Sequence, residues 1–369
     1  MHTLVQNYRN GRLKVIELPE PICGPSELLI DTKSSLVSVG TERSINKLAK
    51  QSMLQKAMSR PDLVRRVLEK VKTEGITKTY ADVKGRLDQY IPLGYSACGH
   101  VRQIGSDVTQ FQPGDFVSVI GANVASHASQ ICAPEMMCVK VDPSIGDSAA
   151  FGMLGVIAMH GIRMTAQQPG SIIAVVGLGL IGNLTLQILN AYGYCGVGFD
   201  KDSDKVAIAE KLNLKYCYAE REKFHKKIEN LSQGMGADAT IITAASKSPM
   251  PLDDAVKHTR KGGKIVISGV VKIQPDRNEL WLKEIEIVVS RAGGPGSLDA
   301  IYEQSGIDLP IETSRWTQKR NFREFFRLIT DGSINPSALI SDRVNLKDVI
   351  TLYNAIDKGK IRGIAPLIT

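Results

Sequence analysis

The chain has 369 residues, of which 43% are hydrophobic and 23% are charged. These values are ordinary for a soluble protein, and the length allows two domains with cores of their own. No apolar run approaches the roughly 20 residues of a membrane span, and the N-terminus lacks the apolar core of a signal peptide. We therefore expect a cytoplasmic protein.

The formal net charge of +8 does not indicate a nucleic-acid-binding protein, because the excess is local. Residues 46–92 hold 11 Lys and Arg against 5 Asp and Glu. The six cysteines are scattered, with no CxxC pair and no nearby His at metal-ligand spacing. The sequence thus gives no sign of nucleic acid, a membrane or a metal cluster as a partner.

The first 150 residues have mainly β character. Residues 11–40 show short alternating stretches broken by Pro and Gly, and a strand pattern returns from Ile91 to about Val141. Between them, residues 46–90 favour helix, with a helix start at Pro61 and a basic outer face. We interpret them as a helical insertion that is either a solvated flap on the β-rich domain, or a lid or a contact for an anionic substrate.

A helical stretch from Phe151 leads into the part around which the chain is organised, residues 171–200. The apolar run Ile172–Val176 predicts a buried parallel strand, which a glycine-rich turn joins to a helical pattern. This strand, turn and helix predict a dinucleotide site, the alternative being a glycine turn without a ligand. The cofactor-binding residues in the turn are Gly177, Leu178, Gly179, Leu180, Ile181 and Gly182.

Each glycine of the turn has a separate physical role. Gly177 makes the tight turn, Gly179 lets backbone N–H groups approach a pyrophosphate, and Gly182 allows helix and strand to pack closely. The phosphate is expected at the helix N-terminus, where unpaired N–H groups and the helix dipole favour an anion.

Asp200 ends the second apolar run, 18 residues after Gly182. An acidic residue about 20 residues beyond the motif accepts hydrogen bonds from the ribose hydroxyls and repels a 2′-phosphate. Asp200 therefore favours NAD over NADP, and the nearby Lys201 and Lys205 weaken that preference without reversing it.

Later strand-like runs complete about six parallel strands, so the predicted fold class is α/β. The runs are residues 215–219, 237–245, 264–271 and 285–290. We expect a β-rich domain over residues 1–150, a doubly wound Rossmann sheet over residues 151–296, and a return of residues 297–369 to the first domain. The apolar edge near Ile285–Val289 is a candidate for pairing across the axis of a homodimer.

Over essentially its whole length the chain resembles the medium-chain dehydrogenase/reductase superfamily. The resemblance is carried by the N-terminal β-rich domain, LGYSACGHV (residues 93–101), QFQPGDFV (residues 110–117) and the late Rossmann domain. It implies a GroES-like catalytic domain, a C-terminal segment that returns to that domain, and an NAD(P)-dependent dehydrogenase or reductase.

In zinc-dependent members of that superfamily, a Cys, a His and a later Cys or acidic residue hold the catalytic zinc. The corresponding positions here are Val39, Tyr95 and, near the third, Leu154. These side chains cannot make the shell of N, S and O ligands that zinc needs. The four-cysteine structural lobe is also missing between Gly114 and Val139. We therefore predict a zinc-independent enzyme.

A closer resemblance is to the zinc-free branch found as the N-terminal half of two-domain oxidoreductases in sugar and polysaccharide biosynthesis. The segments that carry it are VSVGTERS (37–44), RPDLV (60–64), LGYSACGHV, HGIR (160–163), GIDLP (306–310) and SRWTQKRNFREF (314–325). The resemblance leaves the partner and the substrate open.

Hydride transfer to a carbonyl leaves negative charge on oxygen, which a proton donor has to stabilise in the absence of zinc. Tyr95 is a candidate donor, although its ring can instead pack beside the nicotinamide. The resemblance places Thr41 at a proton-relay position, with Glu42 able to tune or accept the proton; the alternative is a turn and a buried structural carboxylate. His160 is a further catalytic candidate because imidazole titrates near neutrality and its helix borders the cofactor in this family.

Other residues are candidates for substrate binding. Arg43, Arg315 and Arg320 flank the predicted cleft, and a guanidinium suits a carboxylate or diphosphate. Trp316 beside Arg315 is a candidate contact for a sugar or nucleotide, the alternative being an ion-paired Arg beside a core Trp. His127 is a candidate on the same grounds as His160, and a structural role is the alternative for both.

We therefore expect a zinc-independent, NAD(H)-dependent oxidoreductase acting on a secondary alcohol or ketone, such as a sugar or cyclitol. Two alternatives stay open. One is a zinc-free quinone or enone reductase, which usually favours NADPH. The other is a non-catalytic NAD-binding subunit that docks a partner through its basic residues 46–92.

Overall fold

The computed structural model describes residues 1–50, 55, 58, 61–79, 85, 89–361 and 363–369, apart from the side chains of residues 44, 45, 47–49, 61–63 and 66. The strands in chain order are β1 (His2–Asn7), β2 (Leu13–Glu17), β3 (Glu27–Leu36), β4 (Tyr90–Pro92), β5 (Ser96–Ile104), β6 (Phe116–Ile120), β7 (Gln130–Pro134), β8 (Cys138–Lys140), β9 (Ile172–Val176), β10 (Cys195–Phe199), β11 (Cys217–Tyr218), β12 (Ala237–Ile242), β13 (Thr259–Ile267), β14 (Glu286–Val289), β15 (Ile340–Val344) and β16 (Ala365–Ile368). The α-helices are α1 (Val39–Ala49), α2 (Pro61–Glu74), α3 (Gly152–Met164), α4 (Leu180–Ala191), α5 (Ser203–Lys211), α6 (Arg221–Ser232), α7 (Met250–His258), α8 (Arg277–Lys283), α9 (Ala300–Ser305), α10 (Gln318–Thr330) and α11 (Val349–Asp357).

Six parallel strands form one sheet in the order β11-β10-β9-β12-β13-β14. The pleat of β9 divides its side chains between two cores. Ile173 and Val175 join the core that contains α4, and Ala174 and Val176 join the core that contains α6. A strand covered on both faces needs the continuous apolar run seen in the sequence. The predicted α/β class with a Rossmann sheet is confirmed.

The order of the strands reverses at β9, because β10 and β12 lie on either side of it. The loops that follow these strands leave the sheet in opposite directions at its carboxyl edge. In open parallel sheets this reversal creates the crevice in which ligands bind. The glycine motif, which follows β9, therefore lies at the crevice.

Two further sheets lie outside the Rossmann sheet. The smaller sheet has the antiparallel order β2-β1-β4. The larger sheet has the order β15-β16-β3-β5-β6-β8, with β7 also paired to β3. Strand β16, near the end of the chain, pairs antiparallel with β3, so the last segment lies against the first. This arrangement is consistent with the predicted GroES-like domain.

Some predicted boundaries were wrong by several residues. Strand β13 ends at Ile267 rather than continuing to residue 271, because the chain turns there and the Gly269 N–H donates to the Ile242 carbonyl. Helix α1 begins at Val39, not near residue 46, so Gly40–Arg43 lie in its first turn.

Side chains on α1 tie it to the C-terminal helix α11. Asn46 Nδ2 donates to Asp357 Oδ2 at 2.6 Å, and Lys50 pairs with the same carboxylate. Helix α2 begins at the predicted Pro61, but Val64, Val67 and Leu68 on its apolar face are exposed.

The stretch Pro143–Met164, which ends in α3, has the length and mean hydropathy (1.4) of a membrane span. The expectation that no apolar run approaches this length was therefore wrong. Within the protein 72% of that window is buried. A core helix of a globular protein meets the same criteria, and α3 is packed closely: a Cβ at Gly155 would lie 2.4 Å from the ring of Phe325 in α10.

Candidate functional site

The glycine motif connects β9 to α4 at the carboxyl edge of the parallel sheet. Gly177 has a φ of 104°, in the region that favours glycine. A Cβ at Gly182 would lie 1.8 Å from the Gly177 carbonyl oxygen, so only glycine fits where helix and turn touch. A Cβ at Gly179, in contrast, would meet no atom within 4 Å. The space beside Gly179 is thus open to a ligand.

The backbone of this motif suits an anion. Gly179 is the N-cap of α4 and provides no side-chain hydrogen bond to the N–H groups of the first turn. Leu178 and Leu180 are buried and Ile181 is half-buried, so these side chains serve packing. N–H groups and the positive end of the helix dipole are left for a phosphate. The residues present therefore fit the pyrophosphate of a nicotinamide dinucleotide.

Asp200 follows β10, and its buried carboxylate is tied to the glycine motif. Asp200 Oδ2 accepts a hydrogen bond from the Leu178 N–H at 2.9 Å, and Oδ1 accepts one from the Asp202 N–H at 3.0 Å. Lys205 Nζ lies 3.3 Å from Oδ2, whereas Lys201 is exposed. The glycine motif therefore has a fixed carboxylate beside it, and one ammonium group partly offsets the charge of that carboxylate.

A second set of candidate side chains comes from β3, α1 and α11, from the residue before β5 and from the loop before β7. We name this the buried polar cluster after its buried members Ser35, Ser38, Glu42, His127 and Tyr353, and its other members are the half-buried Tyr95 and the exposed Thr41. Ser35 Oγ lies 2.8 Å from His127 Nδ1. Ser38 Oγ donates to Thr41 Oγ1 at 3.2 Å, and the Tyr95 hydroxyl contacts both of these hydroxyls.

Glu42 lies at the centre of the buried polar cluster and is 1% exposed. Its Oε1 is 4.0 Å from His127 Nε2, and its carboxyl group is in contact with the Tyr353 side chain. Among the described residues, Glu42 Oε2 and His127 Nε2 have no hydrogen-bond partner. Buried polar atoms are rarely left unpaired, so this spare capacity suggests a place for water or a substrate group.

Burial sets the protonation states in the cluster. It raises the pKa of Glu42 to about 7, with the Tyr353 contact acting in the opposite direction. Burial, followed by the charge of Glu42, raises the pKa of Tyr95 to about 12. Burial also lowers the pKa of His127 to about 3. Near neutral pH, Tyr95 therefore keeps its proton, His127 is uncharged and Glu42 exchanges a proton, a combination suited to proton transfer.

His160 makes its contacts with the loop after β14 rather than with the buried polar cluster. A Cβ at Gly294 would lie 2.5 Å from His160 Nδ1. Burial, and then the charge of Arg291, lowers the pKa of His160. Ser268 and Ser290, just past β13 and β14, have buried hydroxyls without hydrogen-bond partners in the described part of the chain. These groups lie at the carboxyl edge of the sheet, towards the end opposite β11.

The positions that the resemblance assigns to the zinc ligands hold Val39, Tyr95 and, near the third, Leu154. Val39 is half-buried and Leu154 is 1% exposed, and both are hydrocarbon side chains. One phenol with two alkyl groups does not fit a zinc ion. Across the residues that the structure describes, no group of three His, Cys, Asp or Glu side chains has the geometry to hold a metal.

Arg315 and Trp316 stack on each other, with the guanidinium carbon 4.3 Å from the ring centroid. The Arg163 guanidinium carbon lies 3.3 Å from the same ring, and Arg163 Nε donates to Asn321 Oδ1 at 3.1 Å. The half-buried Trp316 is therefore in contact with two arginines, and Arg315 is exposed.

The other two candidate arginines differ in their surroundings. Arg320 pairs with Asp308 at 3.3 Å and donates to backbone carbonyls of the preceding loop, which is a structural set of partners. Arg43 is exposed and lies beside the turn at Gly359.

Three members of the buried polar cluster were missed by sequence reasoning. Ser35 lies two residues before the VSVGTERS segment and Ser38 lies within it, so that motif could have indicated both serines. Tyr353 has no such signal, because it lies in α11 between Leu352 and Ile356 and has the spacing of an ordinary apolar helix face.

Comparison with known proteins supports the α/β fold with its Rossmann sheet. Residues 181–305 match the family model described as zinc-binding dehydrogenase. A structure from Escherichia coli, an oxidoreductase/dehydrogenase of unknown specificity involved in membrane biogenesis, is similar to this chain with a TM-score of 0.76 at 19% identity. The alignment covers 100% of this chain and 99% of that one.

Two further structures are similar over 100% of this chain and 99% of their own, both with a TM-score of 0.72. One is a putative zinc-binding dehydrogenase from Sinorhizobium meliloti 1021 bound to NADP, at 16% identity. The other is a short chain alcohol dehydrogenase from Escherichia coli CFT073 complexed with NADH, at 15% identity. The domain match indicates a dehydrogenase domain over residues 181–305, and the structures show that the whole chain shares its fold with dehydrogenases.

Substituting the two glycines at the start of α4 should separate ligand binding from folding. In Gly179→Ala the new Cβ enters open space, so we expect a melting temperature near that of the wild type but NADH binding weakened about tenfold, or 1.4 kcal/mol. In Gly182→Ala the Cβ meets the Gly177 carbonyl, so we expect a clear loss of stability. Calorimetric titration and thermal unfolding measure the two effects. Full NADH affinity in Gly179→Ala would contradict the assignment.

The raised pKa of Glu42 should make stability depend on pH. Between its ordinary pKa of 4.5 and about 7, the unfolded chain releases a proton that the folded protein retains, so this group's contribution to stability falls as pH rises. Relative to the wild type, Glu42→Gln should gain about 3 kcal/mol of unfolding free energy on going from pH 4.5 to pH 8. Urea unfolding at both pH values measures this. Glu17→Gln, on an exposed position of β2, is the control, and a pH-independent effect of Glu42→Gln would refute the prediction.

Proposed function

We propose that the chain is a zinc-independent, NAD(H)-preferring oxidoreductase that interconverts a secondary alcohol and its ketone. The observation that carries this proposal is the buried polar cluster around Tyr95. It holds an uncharged phenol, two hydroxyl groups and a titrating carboxyl group at one of the positions where zinc-dependent relatives carry a metal ligand. Proton donors of this kind can stabilise a developing alkoxide without a metal.

Asp200 supports NAD over NADP. Its carboxylate is fixed beside the glycine motif by the Leu178 N–H, where it suits ribose hydroxyls and repels a 2′-phosphate. Lys205, 3.3 Å away, offsets part of that repulsion. We therefore expect a preference for NADH rather than complete exclusion of NADPH.

In the proposed mechanism, hydride transfer is the role of the cofactor and proton transfer is the role of the chain. A bound nicotinamide supplies or accepts the hydride. Tyr95 donates its hydroxyl proton to the substrate oxygen as negative charge develops there. The hydroxyls of Ser38 and Thr41, in contact with Tyr95, return a proton to it. We propose Glu42 as the final source of that proton, because its carboxyl group exchanges a proton near neutral pH and its charge acts on Tyr95. In the direction of alcohol oxidation, the proton moves along the same groups to Glu42.

Zinc independence rests on the chemistry of three side chains. The family model described as zinc-binding dehydrogenase matches residues 181–305, which exclude Val39, Tyr95 and Leu154. The match therefore concerns the nucleotide-binding part of the chain, and the donor set argues separately against a catalytic zinc.

We propose a polyhydroxylated substrate such as a sugar or cyclitol. The buried polar cluster offers several hydroxyl groups, which both donate and accept hydrogen bonds and so match a substrate with the same property. Arg43, Arg315 and Trp316 are proposed as further substrate contacts, since two are exposed cations and the third is a half-buried indole.

A reductase that uses NADPH and a non-catalytic subunit are the two other candidate functions, and one observation favours each of them. The Lys205–Asp200 pair favours a zinc-free quinone or enone reductase that uses NADPH, because it lowers the cost of placing a 2′-phosphate nearby. The exposed Val64, Val67 and Leu68 of α2 favour a non-catalytic NAD-binding subunit that docks a partner.

We also propose that the protein is a cytoplasmic homodimer. Strand β14 is an edge of the six-stranded sheet, and Trp281, Leu282 and Val289 near it are exposed. An uncovered apolar edge strand can continue its sheet across a two-fold axis.

Replacing Tyr95 by Phe tests the proposed proton donor. With sugar and cyclitol ketones as substrates and NADH as donor, we expect kcat to fall about 100-fold or more, because a general acid is lost. KM and NADH affinity should change little, since the ring is retained. Tyr90→Phe, at an exposed position, is the matched control. Undiminished kcat in Tyr95→Phe would exclude this role, and a wild type that reduces no carbonyl would count against the proposed function as a whole.

A further inference from the structure

A cavity of about 260 Å³ opens beside the first turn of α10, and none of its lining residues belongs to the buried polar cluster. We name it the basic cavity. The lining side chains used in the argument are Gln110, Phe111, Cys138, Lys140, Lys319 and Arg323. Three of them are cationic, and none of the lining residues that the structure describes carries a carboxylate.

Lys319 is the central feature of the basic cavity because it is only 3% exposed. Its Nζ donates to the Glu135 carbonyl oxygen at 2.8 Å and to the Cys138 carbonyl oxygen. An ammonium group has three N–H donors, so one is left without an acceptor among the described residues. No carboxylate oxygen of those residues lies within 4.0 Å of it. A buried charge held only by carbonyl dipoles is costly unless an anion joins it.

Of the other two cations, Arg323 adds a positive charge that is unpaired among the described residues, and Lys140 does not. Arg323 lies one turn beyond Lys319 on α10, and its Nη2 donates to Gln110 Oε1 at 3.1 Å. Lys140, at the end of β8, pairs with Asp115 at 2.5 Å, so that carboxylate is already engaged.

Acidic groups beyond 4.0 Å offset part of this excess, and one of them, Glu135, is a buried carboxylate whose Oε1 has no hydrogen-bond partner among the described residues. Burial lowers the pKa of Lys319 to about 8, and Arg323 adds to the lowering, while Cys138, Glu135 and Asp308 act in the opposite direction. Asp308 is itself paired with Arg320. The cavity therefore has two cations, Lys319 and Arg323, that lack a carboxylate partner within 4.0 Å among the described residues.

We propose that the basic cavity binds a tetrahedral oxyanion, either inorganic phosphate or the phosphate group of a phosphomonoester. The free donor of Lys319 and the guanidinium of Arg323 supply charge-assisted hydrogen bonds, and Arg suits two oxygens at once. Phe111 provides an apolar wall, with its ring centroid 5.7 Å from Lys319 Nζ. The volume lies at the lower limit of ligand pockets, which favours a small anion over a nucleotide.

The test is a phosphorus NMR and calorimetric titration of the full chain with inorganic phosphate, at an ionic strength held constant with potassium chloride. We expect saturable binding, and Arg323→Gln should weaken it about tenfold without loss of folding because Arg323 is exposed. Lys226→Gln, which removes one exposed positive charge from α6, is the matched control and should bind as the wild type does. Lys319→Arg serves as a second cavity variant, since it keeps the buried charge and moves the donors.

A parallel titration with glycerol phosphate distinguishes the two sources of the anion. Tighter binding of the monoester than of phosphate would assign the cavity to a phosphorylated metabolite, and the reverse order would assign it to free phosphate. The absence of saturable binding would overturn the proposal. Equal binding by wild type and Arg323→Gln, or an equal response to chloride, would also overturn it.

Discussion

The close approach of Gly182 to the Gly177 carbonyl fixes the start of α4 over the end of β9. No side chain fits between the two, so the helix comes near enough for its N-terminus to meet the crevice at which the strand order reverses. The same turn binds the Asp200 carboxylate through the Leu178 N–H. One packing constraint thus places the helix dipole, the free backbone donors and the acidic residue around a single open space beside Gly179.

The buried polar cluster depends on a different constraint, the cost of burying ionisable groups. Glu42 is removed from water without a cation paired to it among the described residues, and its pKa rises to about 7 as a result. Such a group destabilises the fold at high pH and yet is suited to exchange protons near neutrality. Strongly shifted pKa values of this kind cluster at functional sites. Under the proposed function, this cluster supplies the proton that stabilises the substrate oxygen, a task that zinc-dependent enzymes give to the metal.

Much of the Rossmann part was predictable because local patterns determine it. The apolar run Ile172–Val176, the spacing of the glycines and the acid at Asp200 each carry their physical reason in neighbouring residues. The cluster around Glu42 was only partly predictable, since its members come from four separate parts of the chain, namely residues 35–42, Tyr95, His127 and Tyr353. Tyr353 in particular has the spacing of an apolar helix face, and only tertiary packing brings it to Glu42.

Lys319 is a second residue whose surroundings could not be predicted from the neighbouring sequence. In the sequence it is one of several basic residues in the segment SRWTQKRNFREF, and nothing distinguishes it from Arg320 or Arg323. The structure buries Lys319, pairs Arg320 with Asp308 and leaves Arg323 at the surface. Burial of a charge depends on where β8 and the loop before it lie, which the local pattern does not contain.

The most direct test of the account is a calorimetric titration of chelator-treated protein with NADH and with NADPH, after an assay of its metal content. The account predicts a metal-free protein that binds NADH at least about tenfold more tightly than NADPH, or by 1.4 kcal/mol. A preference for NADPH, or NADH binding that is lost with a chelated zinc ion, would contradict it.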